Sequence, residues 1–429
     1  MRPIYLDNAA TSFPKPPAVA QAAARYLTEV GASINRGVYA SAQDAGMTTL
    51  LLREGLCRLF HHGDPTHCVL TAGNTMGLNM VLRGALRPGD HCLVSAMEHN
   101  AVMRPLRELA DQGVAFDRIP CDSAGRLDPA SIPPLLRPNT RLVVIAHGSN
   151  VSGAVQDGAA VGRICRERGV PLVLDAAQTA GHWDIDFTGW GLSALSVPGH
   201  KGLMGPSGIG ALLLEADFAR TLAPIVTGGT GSASDSERQP AYMPDRFESG
   251  TPNLPGIYGL QAAVDFILET GVDALRRHET ELTARFLEGL RDLPRVRLAG
   301  PRELENRAGV ISLDFMDQDN AEVSFRLEQD YGILTRCGLH CAPSAHRTLG
   351  TFPQGTVRFS PGWYSTASDV DAALAAVRAL AWGGLGIILF LERKRIKKNF
   401  RCVYPALILW TGAGEGGRCA EKRQGDHGF

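Results

Sequence analysis

Lys201 stands in Ser196-Val-Pro-Gly-His-Lys-Gly-Leu-Met-Gly-Pro206, between His200 and Gly202 and just past a short apolar run. Glycine beside it lets a ligand approach the backbone closely. Lysine forms Schiff bases, and a partly desolvated site lowers its pKa towards reactivity. A lone loop lysine is ordinarily solvated and inert, so its company decides. Asp175 ends Val173-Leu-Asp175, 26 residues upstream. A carboxylate buried there needs a cationic partner, and a protonated pyridine nitrogen is one. An Asp on a pyridinium and a Lys on an aldehyde are the pair that pyridoxal-phosphate chemistry needs; the competing role for Asp175 is a helix N-cap. Thr71-Ala-Gly73-Asn74-Thr75 lies between a strand and a helix. Backbone N–H groups at such a helix start hold a phosphate, or merely cap the helix. His99, after the next strand, would stack on a planar cofactor or sit as a satisfied surface histidine. Cys341 would serve as a thiolate nucleophile if its pKa were lowered, and Arg336, His340 and His346 are the neighbours that would do so. Its alternative is a buried, inert cysteine. The spacing of His340, Cys341 and His346 matches no common structural zinc pattern, so no metal is expected.

The elements that must position these groups alternate. Strands are expected at 68–71, 91–95, 114–119, 142–146, 171–175, 194–196 and 208–214, the last possibly antiparallel. Helices are expected at 18–29, 42–59, 76–86, 101–112 and 159–168. Short apolar runs between helical patterns imply an α/β fold with a mostly parallel sheet covered on both faces, whose ligands sit beyond the strands' carboxyl ends. Thr227–Gln239, rich in Gly and Ser, reads as a mobile loop. The expected organisation is an N-terminal segment (1–14) packing with a small domain, a large domain (15–255), linking helices (256–294), a small α+β domain (295–382) carrying the Cys341 loop, and an atypical tail (383–429). Strands of the small domain are expected near 309–315, 333–335 and 355–360.

Composition narrows the function classes. With 43 Lys+Arg against 44 Asp+Glu, no strongly basic nucleic-acid surface is present. At 44% hydrophobic and 20% charged, the 429 residues build a sizeable core. Nine cysteines with no Cys-x-x-Cys exclude a zinc ribbon or thioredoxin dithiol and fit reduced thiols in the cytoplasm. The first residues carry no basic-then-apolar signal. Ala372–Leu391 is strongly apolar with a basic flank, but Arg378 and three glycines interrupt it. Asp369–Trp382 reads as an ordinary amphipathic helix, so no membrane span is expected.

The motifs together resemble the fold-type I, class V aminotransferase family, and within it the SufS-like cysteine desulfurases. They are Tyr5-Leu-Asp-Asn-Ala-Ala-Thr11, Asn35-Arg-Gly37, His147-Gly-Ser-Asn150-Val-Ser-Gly153, Asp175-Ala-Ala-Gln178, Gly199-His-Lys201, Arg246-Phe-Glu-Ser-Gly-Thr251-Pro-Asn253 and Arg336-Cys-Gly-Leu-His-Cys341-Ala-Pro343, in the family's order. The resemblance implies a seven-stranded, mostly parallel sheet and a homodimer with the site near the subunit interface. It implies pyridoxal 5'-phosphate bonded to Lys201, Asp175 on the pyridinium, Gln178 on the ring hydroxyl and His99 over the ring. Asn74, Thr75, His200 and, from the partner subunit, Thr251 would bind the phosphate. Asn150 and Arg358 would hold the substrate carboxylate. Cys341 would take sulfur from L-cysteine, leaving alanine, and pass it to an acceptor protein or thiol reductant, as in iron–sulfur cluster assembly. Selenocysteine lyase is a close variant; transamination, epimerisation and β-elimination would have no use for Cys341. A non-catalytic, tethered sulfur-transfer partner is the remaining alternative. Two positions depart from the family pattern: Pro198 stands where many relatives have a phosphate-binding hydroxyl, and Cys337 where they often have Thr.

Overall fold

The structure, a computed structural model, describes residues 3–34, 37–291, 293 and 295–381. Asn35 and Arg36 of the Asn35-Arg-Gly37 motif, Trp382 with the apolar stretch beyond it, and the tail 383–429 lie outside the described residues.

Strands come in chain order as β1 (Ile4–Tyr5), β2 (Cys68–Thr71), β3 (His91–Ser95), β4 (Ala115–Ile119), β5 (Thr140–Ala146), β6 (Leu172–Asp175), β7 (Ala194–Pro198), β8 (Gly210–Leu214), β9 (Val296–Leu298), β10 (Ile311–Phe315), β11 (Ile333–Leu334), β12 (Arg336–Gly338) and β13 (Thr356–Phe359). Seven of them form one sheet in the order β2-β8-β7-β6-β5-β3-β4. β8 runs antiparallel to both neighbours, and the other pairings are parallel. This is the mostly parallel sheet expected, with its antiparallel strand where the sequence suggested one.

Period-two alternation explains why the sheet is covered on both faces. Leu93 of β3 and Val143 and Ile145 of β5 enter one apolar cluster, with Leu56, Phe60 and Ile257 from the helices Ala40–Leu59 and Leu254–Thr270 and the turn after the first. Cys92, Val94, Leu142 and Val144 point the other way, into a cluster with Leu78, Leu82 and Leu106 from the helices Asn74–Ala85 and Asn100–Asp111. All of these side chains are fully buried, and each such aliphatic chain contributes about 1.5–3 kcal/mol over an exposed one.

A second, antiparallel sheet runs β12-β13-β10-β9. It shares a core of Ile311, Leu313, Phe286, Phe359 and Val377 with the helices Val272–Gly289 and Ala367–Ala381. β1 pairs in parallel with β11, and Asp7 then bridges to Ser360 beyond β13. β9 and β12, three residues each, were not anticipated, because so short a strand carries no readable period. The linking helices are Leu254–Thr270 and Val272–Gly289, separated at Gly271, whose φ of 86° only glycine adopts freely. The first helix also divides, into Pro17–Arg25 and a wider-turned segment, Tyr26–Val30. Among the described residues no helix is long and apolar enough to cross a membrane.

Candidate active site

A cleft of about 700 Å³ opens beyond the carboxyl ends of β2, β3, β5, β6 and β7. Asn74, Thr75, His99, Asn150, Asp175, Gln178, His200 and Lys201 all line it. Residues spread over 127 positions of sequence meet because parallel strands end on the same edge.

Each side chain is placed by its own local structure. Gly73, at φ 140°, turns the chain so that Asn74 opens a helix at the cleft. Asn74 Nδ2 donates to Asp175 Oδ1 at 2.8 Å, and the Ala177 N–H donates to the same oxygen at 3.0 Å. Asp175 is thus oriented at the end of β6 and almost wholly buried. His99 caps the helix Asn100–Asp111, its Nδ1 accepting from the Ala101 N–H at 3.0 Å. That bond puts the proton of the neutral ring on Nε2. Burial, with Lys201, Arg104 and Arg336 nearby, drives His99 down to about 4, against the pull of Asp175. Gln178 donates from Nε2 to the Ala9 carbonyl at 3.0 Å, which leaves its other amide hydrogen and its oxygen for the cleft.

Lys201 is half-buried, and desolvation brings its ammonium down to about 8. Asp175 opposes that shift, Arg358 and Arg336 add to it, and Cys341 opposes it. The preceding residue, His200, is driven to about 4 by burial, then by Lys201 and Lys15. Its backbone carbonyl accepts from the Ser12 N–H at 3.0 Å, Thr11 Oγ1 at 3.1 Å, Ser12 Oγ at 3.2 Å and Lys15 Nζ at 3.2 Å. Lys15 is the only other lysine within residues 1–382, and burial lowers it too, to about 8. Its signal was therefore compositional: a chain that otherwise uses arginine placed both amines at one site.

Cys341 is exposed on a short loop after β12. His340 and Cys341 both have left-handed backbone, φ 48° and 57°, which costs a non-glycine residue about 1–2 kcal/mol. Two hydrogen bonds tie the loop to the cleft residue Asn150 and to Asn100, beside His99. Asn150 Nδ2 donates to the His340 carbonyl at 2.6 Å, and the Asn100 N–H donates to the Cys341 carbonyl at 2.8 Å.

One expectation needs correction. Burial lowers His340 to about 2 and His346 to about 4, so both rings are neutral near pH 7 and lend Cys341 no positive charge. Their partners are the hydroxyls of Thr356 and Thr351. Of the three groups named for that purpose, Arg336 alone is cationic. Its charge reaches His99, Lys201 and Arg358, a wider role than sequence assigned.

Three candidates are not among the residues lining the cleft: Cys341, Thr251 and Arg358. Thr251 is exposed and lines an adjoining cavity that shares Ala72, Met76, Gly208 and Val226 with the cleft, but it does not line the cleft itself. Arg358 is 2% exposed and does not line the cleft. Glu98, adjacent to His99, went unnoticed in the sequence. It is fully buried, accepts from Ser95 Oγ at 2.5 Å and the Ala146 N–H at 2.8 Å, and is pushed up to about 8 by burial. Among the described residues no cluster fit for a metal ion occurs.

The cleft residues fit a phosphorylated, ring-shaped cofactor. Asn74 Oδ1 and His200 Nδ1 are buried polar atoms with no partner among the described residues. A buried carboxylate and a low-pKa lysine share the same space. Ser207 also lines the cleft and offers a hydroxyl that Pro198 does not.

The sequence matches the class-V aminotransferase family over residues 4–373. A probable cysteine desulfurase from Methanothermobacter thermautotrophicus is 31% identical over 373 residues, covering 86% of this chain and 92% of that protein. A cysteine desulfurase from Dickeya dadantii is 32% identical over 384 residues, covering 88% and 91%. Among solved structures, the apo cysteine desulfurase of Thermococcus onnurineus superposes with a TM-score of 0.83 at 32% identity, covering 89% of this chain and 95% of that one. The cysteine desulfurase CsdA of Escherichia coli does so with a TM-score of 0.79 at 29% identity, covering 87% and 94%. Fold, cleft and sequence agree: the chain belongs to the class-V aminotransferase family.

Proposed function

We propose that this protein is a pyridoxal-phosphate-dependent cysteine desulfurase that converts L-cysteine to L-alanine and lodges the sulfur on Cys341. The observation that carries the reading is the placement of that thiol. Cys341 is exposed, on a strained loop tied by two hydrogen bonds to the cleft residue Asn150 and to the start of the helix that His99 caps. It lies near enough to Lys201 that a thiolate there would favour the lysine's ammonium form. A transaminase or epimerase has no use for a thiol there.

Lys201 would hold the cofactor through its aldehyde, Asp175 its ring nitrogen, Gln178 its ring oxygen, and Asn74, Thr75 and His200 its phosphate. When bound, the cofactor supplies an electron sink for charge developing at the substrate's Cα. Asn150 and Arg358 bind the substrate's carboxylate. Lys201 Nζ, once free, takes the Cα proton; with its pKa near 8 it is about half neutral at that pH. The neutral His99 ring covers the site and keeps water out. The Cys341 thiolate attacks the substrate sulfur. A new S–S bond forms, the substrate's C–S bond breaks, and the released electron pair and a proton end on carbon, giving alanine. The persulfide on Cys341 passes to an acceptor protein or a thiol reductant, which Cys341's exposure allows. L-selenocysteine would fit the same groups.

We propose a homodimer, in which Thr251 would reach the partner's phosphate site. The seven described cysteines are all unpaired, which supports a reducing compartment such as the cytoplasm.

The test is to supply L-cysteine to the purified protein loaded with cofactor and measure alanine and sulfide. Equal amounts are expected from the wild type. Cys341→Ser should lose sulfur release by about 10²-fold or more while keeping the cofactor's visible absorbance. Unchanged turnover in that variant, or pyruvate and ammonia in place of alanine, would overturn the reading.

A further inference from the structure

Arg358 lies on β13, directly opposite Arg336 on β12 and Ser312 on β10. Its side chain is 3% exposed. Nη1 donates to the Asn150 carbonyl at 3.2 Å and Nη2 to Asp7 Oδ1 at 2.7 Å. Nε is buried and has no partner among the described residues. Asp7 comes from the opposite end of the chain. It is fixed by the pairing of β1 with β11, by its bridge to Ser360, and by the Ser360 N–H donating to the Leu6 carbonyl at 2.7 Å. Arg336 makes no ion pair among the described residues, so Asp7 is the carboxylate that balances this arginine pair.

A guanidinium presents five donors in a rigid fork. Asp7 and the Asn150 carbonyl each take one terminal hydrogen, which leaves Nε–H and the other two terminal hydrogens. A substrate carboxylate that reaches Arg358 must share it. Two carboxylates on one guanidinium are forced within about 5 Å of each other, where like charges repel strongly even at a high effective dielectric. Asp7 also cancels much of the arginine's charge before any ligand arrives.

We infer that Asp7 sets the affinity of the site for the α-carboxylate: it holds Arg358 in position and weakens its grip on substrate and product, so that the product amino acid leaves. This rests on the reading of Arg358 as the carboxylate ligand. Asp7 acts through Arg358 and is a positioning residue.

Asp7→Asn separates the two roles, since it keeps an oxygen acceptor for Nη2 and removes the charge. L-alanine binding to the cofactor-loaded protein, measured by calorimetry, should tighten at least about fivefold. Binding of L-alaninamide, which lacks the carboxylate, should stay within about twofold. The KM for L-cysteine should fall while kcat does not rise. L-alanine bound no tighter than by the wild type, or L-alaninamide tightened equally, would overturn the inference. Arg358→Gln run in parallel distinguishes the two failures. Loss of L-alanine binding there, with Asp7→Asn unchanged, removes the role of Asp7 alone. Wild-type binding by Arg358→Gln removes the carboxylate assignment and the inference with it. Asp7→Ser, which leaves room for a water against Nη2, carries the same expectation should Asp7→Asn not fold.

Discussion

Glu98 shows how far burial alone decides what a residue is. Its position after β3, in a polar turn beside His99, gives every sign of a solvated carboxylate, yet the fold encloses it completely and keeps it protonated up to about pH 8. Its pKa is raised above the usual 4.5, so the native state binds more protons than the unfolded chain between about pH 4.5 and 8. Its contribution to stability is therefore complete below about 4.5 and is lost as pH rises through 8. Glu98→Gln, which mimics the neutral acid, should abolish that slope. In urea unfolding at pH 5 and pH 8.5, the wild type should lose on the order of 3 kcal/mol more than the variant. Equal losses would show that Glu98 is not the titrating group. The same lesson applies to His340 and His346, whose proximity to Cys341 was legible while their neutrality was not. Proximity is written in the sequence; the burial that strips the charge, reinforced at His340 by Arg358 and Arg336, is not. Lys201, Asp175 and Cys341 could be picked out because each sits in a local motif. Asp7's partnership with Arg358 spans 351 residues and leaves no local trace.

At the scale of elements, the helix Asn74–Ala85 must lie close on β7 to aim its start at the cleft. Gly77 permits this, since a Cβ there would come within 2.6 Å of Ser196 Oγ. Gly77→Ala should push the first turn away, costing about 1–3 kcal/mol of stability and weakening cofactor retention by about tenfold. Thermal unfolding and a pyridoxal-phosphate titration measure the two effects, and unchanged retention would show that the helix start does not hold the phosphate. The strands of the large sheet were readable because apolar runs in a parallel sheet are continuous and bounded by polar ends. β9 and β12 were not. That matters most for β12, which brings Arg336 opposite Arg358 and leads straight into the Cys341 loop.

At the scale of the whole molecule, one helix face stands out among the described residues. Met47, Leu50 and Leu51 form an exposed apolar stripe on the helix Ala40–Leu59, at 55%, 43% and 45% exposure, and Val38 and Tyr39 precede it. A stripe at that spacing on a solvent face is the signature of a partner surface. Leu51→Glu should convert the proposed homodimer to monomer in sedimentation velocity. It should also weaken cofactor binding by about tenfold, because Thr251 of the partner subunit would no longer be supplied. A dimer that persists would place the interface elsewhere.

The short N-terminal segment has a consequence for how the enzyme is made. Asp7, Ala9, Thr11, Ser12 and Lys15 support Arg358, Gln178 and the His200 carbonyl, and β1 docks on β11. These residues are translated before their last anchors, which emerge more than 300 residues later. At about 5–20 residues per second the segment must wait tens of seconds without its native partners. A nascent chain is accordingly inert until β11 and β13 have been translated, and an extension fused before β1 acts on a piece of the site that threads into place late.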